Sequence, residues 1–140
     1  MPAAASAIYG VGADLLRVER GQRLWERYGE RAARKLLHPV EHRLLVAGRD
    51  PGRLLARSFA VKEAFVKALG TGFAGIGIDF NEVGAARGPD GQPRLAYSKR
   101  LAARLAARGV GAGHVSISDE GGLVIAFVVL ERAPDGDALS

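Results

Sequence analysis

The 140-residue sequence contains no cysteine, one methionine, one tryptophan and three histidines. Without cysteine there is no disulfide framework and no thiolate metal site, so a bound cation must take oxygen or histidine ligands. The histidines are too few and too scattered to argue for zinc. No apolar run approaches bilayer-spanning length. The opening Met1-Pro2-Ala3-Ala4-Ala5-Ser6 lacks the basic and apolar regions of a secretory signal. A cytoplasmic protein with no membrane role is expected. Aromatic residues are also scarce, at 6% of the chain.

What is abundant is ordinary globular material. Hydrophobic residues make up 48% and charged residues 25%, which suits one domain with one core, assigned to residues 1–132 with a disordered tail from 133 to 140. The net charge of +5 suits nucleic acid, an acidic protein or a phosphate-rich ligand equally. Arginine clusters between Arg17 and Arg57, whereas Gly70 to Gly91 holds a single basic residue, Arg87.

A short strand is expected from Ala7 to Ala13, then a helix from Leu15 to about Tyr28 carrying Arg17, Arg20, Arg23 and Arg27 as one basic stripe. Two short helices follow, Glu30–Leu37 and Pro39 to about Ala47. The strongest helical pattern is Arg53–Leu69, stopped by Gly70. Residues 70–77 read as a flexible loop, Ile78–Ala86 as a strand and Pro93–Ala96 as a short edge strand. Ser98 caps a helix reaching Arg108. Strands His114–Ser118 and Leu123–Leu130 close the chain, joined at Asp119-Glu120-Gly121-Gly122. This order implies an α+β domain with a mainly antiparallel sheet packed against helices.

Three segments carry residues suited to chemistry. Glu63 and Lys67 share a helix face, a pattern that also describes a plain surface ion pair. The Gly70-Thr71-Gly72 turn after them offers amides and a hydroxyl to a phosphate, although it lacks the spacing of a Walker loop. Asp14, at the end of Gly10-Val11-Gly12-Ala13, suits either a cation or a helix cap. The two glycines weaken a strand unless another backbone packs on them. His114, Ser116 and Ser118 alternate with Val115 and Ile117, so they line one strand face, either solvated or hydrogen-bonding a nucleotide.

Together these segments resemble the holo-acyl-carrier-protein synthase family of 4'-phosphopantetheinyl transferases. The resemblance rests on Gly-x-Gly-x-Asp at 10–14, on Phe59 to Gly72 with its Lys62-Glu63-Ala64 core, and on His114-Val115-Ser116-Ile117-Ser118. It spans about residues 8 to 131. The sequence departs from the family's commonest pattern at Asp119, where many members have histidine, and that leaves the role of this position open.

The resemblance implies transfer of phosphopantetheine from coenzyme A to a serine of acyl carrier protein, with 3',5'-ADP released. It implies Mg²⁺ on Asp14 and Glu63, a cation suited to one or two carboxylates plus substrate phosphates. Glu63, directly or through a bound water, would accept the serine proton, and Lys67 would stabilise the phosphates. Lys62 would add positive charge. Gly70, Thr71 and Gly72 would line the coenzyme pocket, and His114, Ser116 and Ser118 would contact the nucleotide. Arg17, Arg20, Arg23 and Arg27 would dock the acidic carrier protein, and a homotrimer would place each site between protomers.

Two rivals remain. A nucleic-acid-binding domain would interleave aromatics with the arginines, but only Trp25 and Tyr28 lie near the stripe. A non-catalytic carrier-binding module would keep the arginines with no need of Asp14, Glu63 and Lys67 together.

Overall fold

In the computed structural model, which describes residues 6–134, strand β1 spans Ile8–Arg17 and so continues past Asp14. Leu16 is buried while Leu15 is exposed, so two-residue alternation persists where the sequence suggested a helical turn. Helix α1 therefore begins later, at Val18, and ends at Tyr28. Arg17 sits at the strand end as the residue before the helix, not on the helical stripe.

Helices α2, Glu30–Leu36, and α3, Pro39–Val46, follow. His38 starts α3 with a reciprocal cap: its Nδ1 accepts from the Val40 amide, and the Glu41 carboxylate accepts from the His38 amide. Helix α4, Pro51–Leu69, has proline in its first turn, an Asp50 carboxylate accepting from the Arg53 amide, and Gly70 at φ 77° to end it.

The segment expected as a loop contains a short helix, α5, Gly72–Ile76. The expected strand from Ile78 is shortened. Asp79 and Glu82 cap a 3-10 turn at Phe80–Glu82, and β2 spans only Val83–Arg87. Strand β3 is Pro93–Tyr97, and α6 is Lys99–Ala107, capped by Ser98. The last two strands, β4 Val110–Glu120 and β5 Leu123–Arg132, absorb Asp119 and Glu120 from the expected turn. Their connection is the pair Gly121-Gly122, both at positive φ, as a tight hairpin requires. Most of the expected tail, residues 135–140, lies outside the described residues.

The architecture is a single α+β domain. A three-stranded antiparallel sheet runs β1-β5-β4, and β2-β3 forms a separate hairpin. Helix α4 lies across the inner face of the larger sheet. Its Ala60, Val61, Ala64 and Phe65 meet Val124, Ala126, Val128 and Leu130 of β5, all of them buried. Each large apolar side chain buried this way contributes roughly 1.5–3 kcal/mol. A second cluster joins Leu54 and Leu55 to Ala32, Ala33 and Leu37. Among the described residues, no helix is long and apolar enough to cross a membrane.

The two glycines of β1 explain how closely α4 approaches. A Cβ on Gly10 would overlap the Ala68 carbonyl, and one on Gly12 would overlap the Ala64 carbonyl. The strand's inner face is thus built to receive helix backbone. We expect Gly12→Val to cost about 3 kcal/mol through overpacking. A denaturation midpoint left at the wild-type value would disprove that account of the crossing.

Candidate active site

Gly10 lies under Ala68 and Gly12 under Ala64, so Asp14, two residues further, comes beside the turn of α4 that carries Glu63 and Lys67. The Lys67 ammonium donates to the Asp14 carboxylate at 3.2 Å and to the Ala13 carbonyl at 3.0 Å, linking residues 53 apart in sequence. Glu63 is half-buried beside them. Burial raises the pKa of its carboxyl and the negative charge of Asp14 raises it further, while Lys67 and Arg20 pull the other way. Two carboxylates that repel each other at a sheet edge, with an ammonium between elements, form a place where a cation would be welcome.

The donor set fits Mg²⁺. It offers oxygen alone, and among the described residues no group of three or more metal-binding side chains assembles. A hard cation that keeps waters and takes substrate phosphates needs no more than two carboxylates.

The glycine turn follows directly. The Gly70 amide is taken by the Val66 carbonyl at 2.9 Å, as part of the helix cap, and the Thr71 hydroxyl donates to the Gly72 carbonyl at 2.8 Å. Gly70 therefore shapes the turn, and it keeps its left-handed conformation for that reason. Arg104 of α6 holds the far end of α5 through the Ile76 and Gly77 carbonyls, both at 2.9 Å.

Lys62 is not at the site, contrary to the sequence reading. Its side chain is fully buried on the core side of α4, about 100° around the helix from Glu63, where Nζ meets the Glu41 carboxylate at 2.9 Å and donates to the Val83 carbonyl. Glu41 also accepts from Ser58 Oγ at 2.8 Å and from the Ala85 amide at 3.1 Å. Burial lowers the lysine pKa, and Glu41 opposes that shift. Lys62 joins α3, β2 and α4 and cannot lend charge to a ligand at Glu63.

His114, Ser116 and Ser118 share one face, as the alternation indicated, but it is the face turned away from Asp14. Asp14, Ala126 and Ile117 form one row across the sheet, and their side chains point toward α4. The neighbouring rows point outward: Val11, Val129 and His114; Ala13, Phe127 and Ser116; Leu15, Ile125 and Ser118. Leu15 at 62%, Val11 at 55% and Phe127 at 45% exposure leave this face unusually apolar. Within one chain, the strand triplet and the carboxylates cannot touch one small ligand.

The arginines divide as well. Arg20 stacks over the Phe59 ring at 5.1 Å, close enough to Glu63 to stabilise its charged form. Arg23 pairs with Glu19 at 3.0 Å, and Arg27 lies over the Tyr28 ring, where Arg31 joins it. Between α1 and α2 lies a groove of about 320 Å³ lined by Leu24, Tyr28, Arg31, Ala32, Lys35 and Leu36.

Sequence reasoning missed one feature altogether. A cavity of about 210 Å³ opens beside the start of α4, lined by Arg49, Arg53, Arg57 and Arg87 above Ala86 and Pro93. Arg53 and Arg57 come from α4, Arg49 from the segment before it and Arg87 from β2, so only the fold brings the four together.

Comparison with known proteins gives one family. Residues 10–128 match the model of the 4'-phosphopantetheinyl transferase superfamily. The chain is 46% identical over 126 residues to a holo-[acyl-carrier-protein] synthase of Thiobacillus denitrificans, covering 90% of this chain and 95% of that one. It resembles the crystal structure of the Neisseria meningitidis synthase with a TM-score of 0.83 and 37% identity, over 89% and 99% of the two chains. The Helicobacter pylori synthase, solved in complex with coenzyme A, aligns with a TM-score of 0.73 at 27% identity, over 86% and 99%.

Proposed function

The chain belongs to the 4'-phosphopantetheinyl transferase superfamily as an enzyme of the holo-[acyl-carrier-protein] synthase type, and from that premise we propose that Asp14, Glu63 and Lys67 form its reaction centre. There, 4'-phosphopantetheine passes from coenzyme A to a serine hydroxyl of an apo-acyl carrier protein of fatty acid or polyketide synthesis. The observation that carries this reading is the convergence of Asp14 on β1 with Glu63 and Lys67 on α4.

The serine oxygen forms a bond to the pantetheine-side phosphorus as the bond to 3',5'-ADP breaks. Asp14 and Glu63 would hold Mg²⁺, which supplies charge neutralisation at the diphosphate. Glu63, directly or through a bound water, accepts the serine proton. Lys67, oriented by Asp14 and the Ala13 carbonyl, balances negative charge as it moves to the leaving group. Such a transfer draws mainly on positioning and electrostatics.

The arginine-lined cavity suits the nucleotide end of coenzyme A, whose 3'-phosphate is a dianion that guanidinium forks bind well. The α1–α2 groove, with an apolar floor and the cations Arg27, Arg31 and Lys35 around it, suits an amphipathic acidic helix of the carrier protein. Arg20, between that groove and Glu63, marks the path along which the carrier serine arrives. Incubation with apo-carrier protein, coenzyme A and Mg²⁺ should add the mass of one phosphopantetheine. No gain on several apo carriers would sink the transferase reading.

The outer sheet face supports the homotrimer. Val11, Leu15, Ile125 and Phe127 need covering, and His114, Ser116 and Ser118 lie among them, so a neighbouring copy can receive them beside its own carboxylates. Phe127→Asp is expected to yield folded monomers with transfer reduced at least about tenfold. Light scattering that finds an unchanged trimer in this variant would place the interface elsewhere.

A further inference from the structure

Asp119 is left without a role by the transferase reading. It pairs with Val124 across the sheet, so it faces inward with Ile117 and away from Ser118. Its carboxylate accepts from Arg57 Nη1 at 2.6 Å and lies 3.3 Å from Arg53 Nη1. The two guanidinium groups hold its pKa below the usual carboxylate range.

Both arginines line the cavity beside the start of α4. Arg53 stands in the first turn of α4, whose one nearby carboxylate, Asp50, is taken up in capping the Arg53 amide, and Arg57 follows one turn later. Two cations one turn apart repel each other, and without a carboxylate between them their long side chains would spread into solvent. Asp119 reaches them from another element and takes one donor of the five on each guanidinium, leaving the others free.

We propose that Asp119 is a positioning residue that presets Arg53 and Arg57 at the cavity mouth, so that the protein selects nucleotides bearing a 3'-phosphate. The inference rests on the assignment of this cavity to the nucleotide of coenzyme A. The cavity is also lined by Glu41, which is paired with Lys62, and by Asp50, which caps α4; with Arg49 and Arg87 unpaired by Asp119, the four arginines still outnumber the carboxylates for a dianion. A preset fork loses less freedom when the phosphate arrives.

Calorimetry with 3',5'-ADP and 5'-AMP tests the proposal on the intact protein, independently of turnover. The wild type should prefer 3',5'-ADP. Asp119→Ala should weaken 3',5'-ADP about tenfold, leave 5'-AMP within about twofold, and Asp119→Glu should restore most of the loss. Unchanged or tighter binding of 3',5'-ADP by D119A would overturn the proposal, since a competing carboxylate improves binding when removed. Equal losses for both nucleotides would overturn it too, as the mark of a merely structural role. A wild type that does not distinguish the nucleotides overturns the cavity assignment and this inference with it, while phosphopantetheine transfer, read by mass, stands or falls separately.

Discussion

Glu63→Gln should abolish most phosphopantetheine transfer while leaving the fold intact or slightly more stable. Glutamine keeps the size of the side chain but loses the charge that would help hold Mg²⁺ and the basicity that would take the serine proton. Removing one such preorganised group typically lowers kcat by about 10²–10³. The stability effect runs the other way. The pKa of Glu63 is raised in the folded, metal-free protein, so its ionised form is less favourable there than in the unfolded chain. Stability linked to this group is therefore lost as pH rises through its folded pKa and regained below. A neutral glutamine beside Asp14 removes the repulsion at every pH. Transfer at the wild-type rate would refute the roles given to Glu63, and a lower Tm would refute the repulsion.

Lys62→Met should be the most damaging substitution for stability. It removes the ammonium opposite Glu41 and leaves a buried carboxylate with Ser58 Oγ and backbone amides as its remaining donors. Breaking a buried pair in this way costs about 3–5 kcal/mol. For a domain of this size the Tm should fall by on the order of 10 °C. Glu41→Gln alone strands the lysine, and the double variant should lose less than the sum of the singles. A Lys62→Met protein with normal Tm but a raised KM for coenzyme A would restore the ligand role that the sequence suggested.

Local chemistry made several elements legible. Gly70 ends α4, Ser98 starts α6, and Gly121-Gly122 closes the last hairpin, whereas Asp50 and Pro51 open α4 two residues before the expected start at Arg53. Leu15 misled because an apolar pair before Val18 fits helical spacing, whereas the chain stays extended and turns Leu15 outward. Lys62 misled because a lysine next to a catalytic glutamate is naturally read as its neighbour in space. On a helix, adjacent residues point about 100° apart, and Lys62 shares its face with Ser58 and Phe65. That much was readable. Its partner Glu41 was not, because the contact joins α3 to α4 through the fold. The strand triplet was correctly grouped on the side away from the core, with Val115 and Ile117 packed inward, but that Asp14 lies on the inner face depended on register, and only the pairing with β5 fixes that.

The crossing of α4 over Gly10 and Gly12 bears on how this protein tolerates change. Side chains elsewhere in the core can be exchanged for others of similar volume, and the layers settle by a few tenths of an ångström. Along β1 the helix rests on main chain, whose dimensions no substitution alters. The spacing between Asp14 and Glu63 is thereby insulated from drift in the surrounding hydrophobic residues. The core can diverge while the geometry of the reaction centre stays put.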